Sequence, residues 1–255
     1  MGHLDDVKSG YKLAYSPCLE STSFDAINQV LMGLTHAMSN ILMPLREYPR
    51  LIQNRLPEGS SALGLLSNME IAADRLCEVN NNLIQLCHGN EGTPSSVNLV
   101  ALTQQVLAEV ADQYPADGQI HVEIKADPAP PVLDGPQDAI FIAIRNMCVN
   151  AYEAMKGGGR LRVDIGPVEV RDGDVLSGFC VPSRSYFFIR FSDTGPGVDP
   201  AVRDSMFDPF VTTVRGEGRG LGLSQVYRTM RHMNGAILYN PDTLPGASFI
   251  LLFPA

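Results

Sequence analysis

Gly216–Glu217–Gly218–Arg219–Gly220–Leu221–Gly222–Leu223–Ser224 decides how this chain is read. Four glycines at every second position cannot form a stable helix or a good strand interior, because glycine loses the most conformational freedom on ordering. The residues that follow, Leu223 to Met233, predict a helix. Glycine-rich backbone at the start of a helix presents bare amides, a natural cradle for phosphate. Arg215 and Arg219 stand beside it and supply charge. The spacing is neither GxGxxG nor GxxxxGK[ST], which argues against a dinucleotide site and a P-loop.

Two segments upstream suit the same chemistry. Asn146–Met147–Cys148–Val149–Asn150–Ala151–Tyr152–Glu153–Ala154 lies in a run with helical patterning, Asp138 to Met155. Asn146 and Asn150 are four apart and share a helix face. Asparagine inside a helix competes with the backbone for hydrogen bonds. Two on one face, among Ile142, Ile144, Met147 and Val149, ask for a polar ligand. An amide oxygen suits a hydrated Mg2+ and the phosphates it accompanies. Taken alone, the pair also reads as solvated or capping asparagine. Asp193–Thr194–Gly195–Pro196–Gly197 follows a strand predicted over Tyr186–Phe191. A carboxylate at a strand end suits an adenine amino group, and the glycines let the backbone approach the ring. Taken alone, it is also a plain turn.

The N-terminal half has a different character. Phe24, Ile27, Leu31, Leu34, Met38, Ile41 and Leu45 recur at alternating steps of three and four, an unbroken heptad seam. Leu65, Met69, Ala72, Leu76, Val79, Leu83 and Leu86 repeat the pattern, and Leu66, Ala73 and Cys87 widen the stripe. Residues 57–61 supply the turn between two helices. Pro44 and Pro49 near the end of the first helix are expected to kink it. A lone hairpin cannot cover both stripes. Dimerisation into a four-helix bundle does so most simply; a two-helix arm packed on its own C-terminal domain is the alternative.

Residues 89–94 break the helical pattern and read as a linker. Beyond them, a helix is predicted over Leu99–Val110. Strands are predicted over Ile120–Ile124, Leu161–Ile165, Ala236–Tyr239 and Ser248–Phe253. The expected organisation is a segment over 1–22, a hairpin over 23–90 and an α/β sandwich over 95–255, an α+β chain in all.

Composition bounds the function. The chain has 255 residues, 45% hydrophobic and 18% charged, enough to bury a core. Nineteen Lys and Arg against 28 Asp and Glu give a net charge of −9, which speaks against wrapping nucleic acid. The five Cys form no CxxC pair and read as reduced thiols of a cytoplasmic protein, not a disulfide framework. No apolar run reaches the roughly 18 residues of a membrane span, so no membrane insertion and no signal peptide are expected.

In this order, the three glycine- and asparagine-bearing segments resemble the N, G1 and G2 boxes of the ATP-binding domain of histidine kinases, gyrase, heat-shock chaperones and mismatch-repair ATPases. Phe207–Asp208–Pro209–Phe210–Val211–Thr212–Thr213 resembles the F box of that family. The resemblance covers about residues 95–255 and implies ATP and Mg2+ as cofactors. It implies that Asn150 coordinates Mg2+ with support from Asn146, that Asp193 reads adenine, and that Gly195 and Gly197 shape the base pocket. It implies that Gly218, Gly220, Leu221 and Gly222 cradle phosphates in a mobile lid over roughly 197–220. Phe207 and Phe210 would pack that lid, with Thr212, Thr213, Arg215 and Arg219 beside the nucleotide. Where hydrolytic relatives carry Glu, this chain has Asn146. An amide cannot act as a general base, so transfer to a protein is favoured over a hydrolytic ATPase or chaperone.

Leu34–Thr35–His36–Ala37–Met38–Ser39–Asn40–Ile41–Leu42 resembles the H box of histidine kinases, with Pro44 eight residues after His36. With Leu31 and Met38 at a and Leu34 at d, His36 falls at f, the outermost position. A neutral imidazole offers an unprotonated, nucleophilic nitrogen near pH 7. The resemblance implies a homodimeric histidine kinase that autophosphorylates His36 and passes the group to an aspartate of a response-regulator receiver domain. Asn40 would orient water in a phosphatase role. One departure stands out: the family's acidic residue after the histidine is Ala37 here. The general base it replaces contributes about 10²–10⁴-fold. The alternative reading is therefore a kinase-weak phosphatase, phosphotransfer hub or regulatory scaffold. No sensor domain is read in the chain, so a separate sensor partner or a longer chain is implied.

Overall fold

The computed structural model describes residues 11–15, 22–57, 60–87, 93–113, 119–128, 131–171, 181–182, 184–208, 211–212, 220–241, 243 and 245–255. In 13–15, 22–33, 36, 78–79 and 81–87 the description is of the backbone alone. The chain divides into two compact units. One is Ser21–Gly89, and the other joins Met1–Glu20 to Asn90–Ala255.

The first unit is a hairpin of α1 (Thr22–Gln53) and α2 (Ala62–Cys87). The two helices run antiparallel, as their cross-pairs show: Arg50 with Glu70, Arg46 with Asp74, and Ser39 with Asn80. Pro44 and Pro49 both lie inside α1. The packing differs from the seam in one respect. Thr35, Leu42 and Pro49 on α1 and Leu66, Ala73 and Asn80 on α2 are the buried described residues of the hairpin. These are heptad-spaced residues one position round from the seam. The seam residues Leu34, Ile41, Leu45, Leu65, Met69 and Leu76 stay exposed within one chain. Leu66 and Ala73, which widen the stripe, take part in closing the hairpin, and the six seam residues just named stay uncovered.

The second unit is an α/β sandwich. Its sheet has the order β1-β7-β8-β6-β5-β3, with β1 Lys12–Tyr15, β3 Ile120–Ala126, β5 Gly159–Glu169, β6 Ser185–Asp193, β7 Ala236–Asn240 and β8 Ser248–Pro254. β3 and β5 pair in parallel and the other neighbours are antiparallel. A separate ribbon pairs β2 (Ser95–Asn98) with β4 (Val132–Gly135). The helices are α3 (Leu99–Gln113), α4 (Gln137–Ala154) and α5 (Gly222–His232).

Strand alternation sends odd and even residues to opposite faces. Leu161, Val163, Ile189, Phe191, Ile237, Leu251 and Phe253 join Val106, Ile140, Ile144, Val226 and Met230 of the helices in the main core. The other face carries a second apolar cluster of Val168, Tyr186, Phe188, Leu238, Ile250 and Leu252, with Tyr11 on top. Beside that cluster, the buried Asp164 carboxylate accepts from both Arg190 and Arg162. The strands at 161–165 and 186–191 run longer than their sequence cores, and β1, β2 and β4 are additional to the sequence reading. No described helix is long and apolar enough to cross a membrane.

Candidate nucleotide site

Helix α4 lays its apolar side, Ile140, Ala143, Ile144, Met147 and Ala151, into the main core. That orientation turns Asn146 and Asn150 toward the start of α5. A Cβ on Gly222, the first residue of α5, would lie 3.5 Å from Asn150 Oδ1 and 3.6 Å from Asn146 Oδ1. Both amide oxygens therefore face the helix N-terminus. Asn146 Nδ2 donates to Gln225 Oε1 at 2.7 Å, which fixes its amide orientation. Asn150 Nδ2 is buried and has no hydrogen-bond partner among the described residues. An orphaned buried donor costs about 1–3 kcal/mol, and the cost is relieved when a polar ligand enters. The residue before α5 is Leu221, which gives no side-chain cap, so the first amides of α5 keep their capacity for an anion.

Asp193 ends β6 at the other side of the site. Its Oδ1 accepts from Gly195 N at 2.8 Å and Ala247 N at 3.2 Å. Burial raises the carboxyl above its usual range, and these amide hydrogen bonds offset part of the rise. Neither amide engages Oδ2. The close approach depends on Gly246, whose φ is +111°. A Cβ there would fall 1.8 Å from Asp193 O, so no side chain is admissible. Gly195 lies against Ala154 at the end of α4, where a Cβ would meet the Ala154 methyl at 3.1 Å. The turn after Asp193 and the end of α4 thus form one continuous wall.

Among the residues read from sequence, the structure brings together Asn146, Asn150, Gly222 and Leu221 at one end, and Asp193, Gly195 and Gly197 at the other. Gly220 precedes α5 with a φ of +64°. Phe207 is half-buried and its ring lies 6.4 Å from that of Tyr227 on α5. Thr212 is exposed. Phe210, Thr213, Arg215, Gly218 and Arg219, with the rest of 209–210 and 213–219 in the expected lid, lie outside the described residues. So does the side chain of His36, whose backbone is helical in α1; Ala37 and Asn40 beside it are exposed. Gln225, Gly246 and Ala247 are site residues that the motifs did not flag. Gln225 stands 79 residues from Asn146, a distance no spacing rule spans.

An oxygen-rich notch at a helix N-terminus, facing a half-buried carboxylate across a glycine-lined wall, suits a nucleotide with its phosphates toward α5 and its base toward Asp193. The profile of the family described as histidine kinase-, DNA gyrase B- and HSP90-like ATPase matches residues 135–255. This segment is similar to the ATPase domain of that family. Curated relatives extend the likeness across the hairpin. Sensor kinase CckA of Brucella abortus (strain 2308) is 24% identical over 237 residues, 92% of this chain and 25% of that protein. Sensor histidine kinase ZraS of Escherichia coli (strain K12) is 25% identical over 229 residues, 90% of this chain and 46% of that protein. Full-length ShkA in complex with AMPPNP superposes with a TM-score of 0.67 at 21% identity, over 89% of this chain and 46% of that one, a likeness of fold. The chain therefore spans less than half of these relatives. Hairpin and ATPase domain together have the layout of a histidine-kinase core.

The donors present fit Mg2+ in kind. Mg2+ keeps several waters and takes one or two protein oxygens beside phosphate, and two amide oxygens converge at Gly222. Among the described residues no group of three His, Cys, Asp or Glu offers a carboxylate cage instead.

Proposed function

We propose that this chain is the kinase core of a two-component system, binding Mg2+–ATP between α4 and α5 and phosphorylating His36. The observation that carries the reading is Asn150, whose buried Nδ2 has no partner among the described residues and whose Oδ1 faces the uncapped start of α5 beside that of Asn146. In this reading Asn150 Oδ1 holds the metal, Asn146 supports it under the control of Gln225, and Asp193 accepts from the adenine amino group through Oδ2. The metal ion screens the charge of the transferring phosphoryl group.

The imidazole of His36 attacks the γ-phosphorus through its unprotonated nitrogen. The bond to the β–γ bridging oxygen breaks, ADP leaves, and the ring's N–H proton is released as the phosphoramidate forms. A receiver-domain aspartate then attacks the same phosphorus and the N–P bond breaks. Two such hairpins cover each other's Leu34, Ile41, Leu45, Leu65, Met69 and Leu76 in a four-helix homodimer. The exposed Asn40 amide, one turn from His36, is placed to orient a water in dephosphorylating a partner. Ala37 cannot take a proton, which favours slow autophosphorylation and gives weight to phosphatase and phosphotransfer roles.

Calorimetric titration with a non-hydrolysable ATP analogue tests the site. Asn150→Ala is expected to abolish binding while leaving the melting temperature within a few degrees. Retained binding overturns the assignment.

A further inference from the structure

The two edges of the six-stranded sheet are built differently. β3, at one edge, carries exposed His121, Glu123 and Lys125, the charged pattern that keeps an open edge from pairing with other chains. β7 has the sequence Ala-Ile-Leu-Tyr-Asn without a charge, and Ala236, Ile237 and Leu238 are fully buried. Such a strand needs a cover. The cover is β1, paired antiparallel in the register Lys12↔Tyr239, Leu13↔Leu238 and Tyr15↔Ile237. Tyr11 anchors it: the ring is buried in the outer apolar cluster, and its hydroxyl is 2.7 Å from Ser248 Oγ on β8.

The cover is weakly held. β1 has four residues, and the register shifts between Leu13 and Tyr15. Short, irregular edge strands sit at the low end of local stability. The six residues 16–21 separate β1 from α1. The hairpin's other end, Cys87, is separated from β2 by residues 88–94. The hairpin is thus fastened to the same ATPase domain before its first helix and after its second. The leashes are seven and eight peptide steps, at most about 25 and 29 Å when fully extended.

We propose that the β7 edge is a strand-docking surface whose occupant is this chain's own residues 11–15, and that releasing this strand controls phosphoryl transfer to His36. The docking stands on the sheet alone; the control rests on the kinase reading above. A domain held by one leash swings about a point, whereas a second attachment restricts both its travel and its rotation. On the kinase reading, transfer requires the γ-phosphoryl group to reach His36, and a doubly leashed domain samples fewer positions about the hairpin than a singly leashed one. Undocking of β1, by pull from the N-terminal side of α1 or by a competing strand, therefore speeds transfer without altering the nucleotide site.

The test uses the full chain, a deletion of residues 1–15, Tyr11→Ala, and a double variant, Leu13→Cys with Leu238→Cys. The register places that last pair within disulfide range. Deletion and Tyr11→Ala are expected to speed amide exchange of Ala236–Asn240 at least tenfold, leave fluorescent ATP-analogue affinity within twofold, and raise His36 labelling at least threefold. Oxidation of the double variant is expected to lower labelling, with recovery on reduction and the cross-link mapped within one chain. Unchanged β7 exchange on deletion overturns the docking, as does a cross-link that joins two chains. Labelling that is unchanged, or that falls in proportion to nucleotide affinity, overturns the control. If the deletion does not fold, Tyr11→Ala and the reversible cross-link decide. A full chain that takes no label at all while β7 exchange still responds sinks the kinase reading and leaves the docking standing.

Discussion

Replacing Asp193 with Asn exchanges one carboxylate oxygen for an NH2 group and changes little else. The amide oxygen can keep the hydrogen bonds that Oδ1 accepts from Gly195 and Ala247. In the proposed nucleotide pose the NH2 then takes the place of Oδ2 and would face the adenine amino group, donor against donor. A hydrogen bond to a charged acceptor is worth about 1.5–3 kcal/mol, and each 1.4 kcal/mol is about tenfold in affinity. Asp193→Asn is therefore expected to bind a non-hydrolysable ATP analogue about 10- to 150-fold more weakly by calorimetry. A triphosphate carrying a 6-oxo purine presents an acceptor instead, and should bind the variant better than the adenine nucleotide does.

The ligand-free protein gives an independent readout. Burial is the leading influence on Asp193 and raises its carboxyl above the ordinary value of 3.8. The protonated form is favoured in the fold, so this group's contribution to stability is fully present below the ordinary pKa. It is lost as pH rises through the raised folded value. Asn does not ionise. The melting temperature of Asp193→Asn relative to wild type should therefore increase from acid toward neutral pH and then level off. Affinity within threefold of wild type, or lost affinity accompanied by a lower melting temperature at neutral pH, refutes the reasoning.

Two further substitutions probe the framework. Gly246→Ala places a methyl on Asp193 O and forces a non-glycine residue to a φ of +111°; backbone strain alone costs about 1–3 kcal/mol, so denaturant melts should show a marked loss of stability and nucleotide titrations a loss of binding. In the hairpin, Asn80 donates to Ser39 Oγ at 2.8 Å while its buried Oδ1 has no partner among the described residues; Asn80→Leu removes the unsatisfied acceptor and gives up the bond to Ser39, and its helical transition should shift toward higher stability by about 1 kcal/mol.

The local patterns carried much of this structure. The heptad steps placed α1 and α2, and the alternating runs placed β3, β5, β6, β7 and β8. Asn146 and Asn150 were legible because polar residues in an apolar helix need a reason. Periodicity fails where burial is polar: Thr35 and Asn80 are buried in the hairpin, yet no hydrophobic count selects them. It also fails where an element is short or lacks contrast. Lys12–Tyr15 and Ser95–Asn98 gain strand geometry only from partners far along the chain, β7 and β4. The contact of Gly246 with Asp193 requires two segments 53 residues apart to meet. Alternation located the strands without revealing that both faces of the sheet are apolar, and the outer face is what seats Tyr11.

The central claim is that nucleotide bound at this site phosphorylates His36. The most direct measurement incubates the purified chain with γ-labelled ATP and Mg2+, then follows the label through acid and base. Wild type is expected to take up acid-labile, base-stable label, slowly because Ala37 offers no general base, and His36→Ala to take up none while binding nucleotide normally. Label that persists in His36→Ala, or steady phosphate release with no labelled protein, contradicts the account.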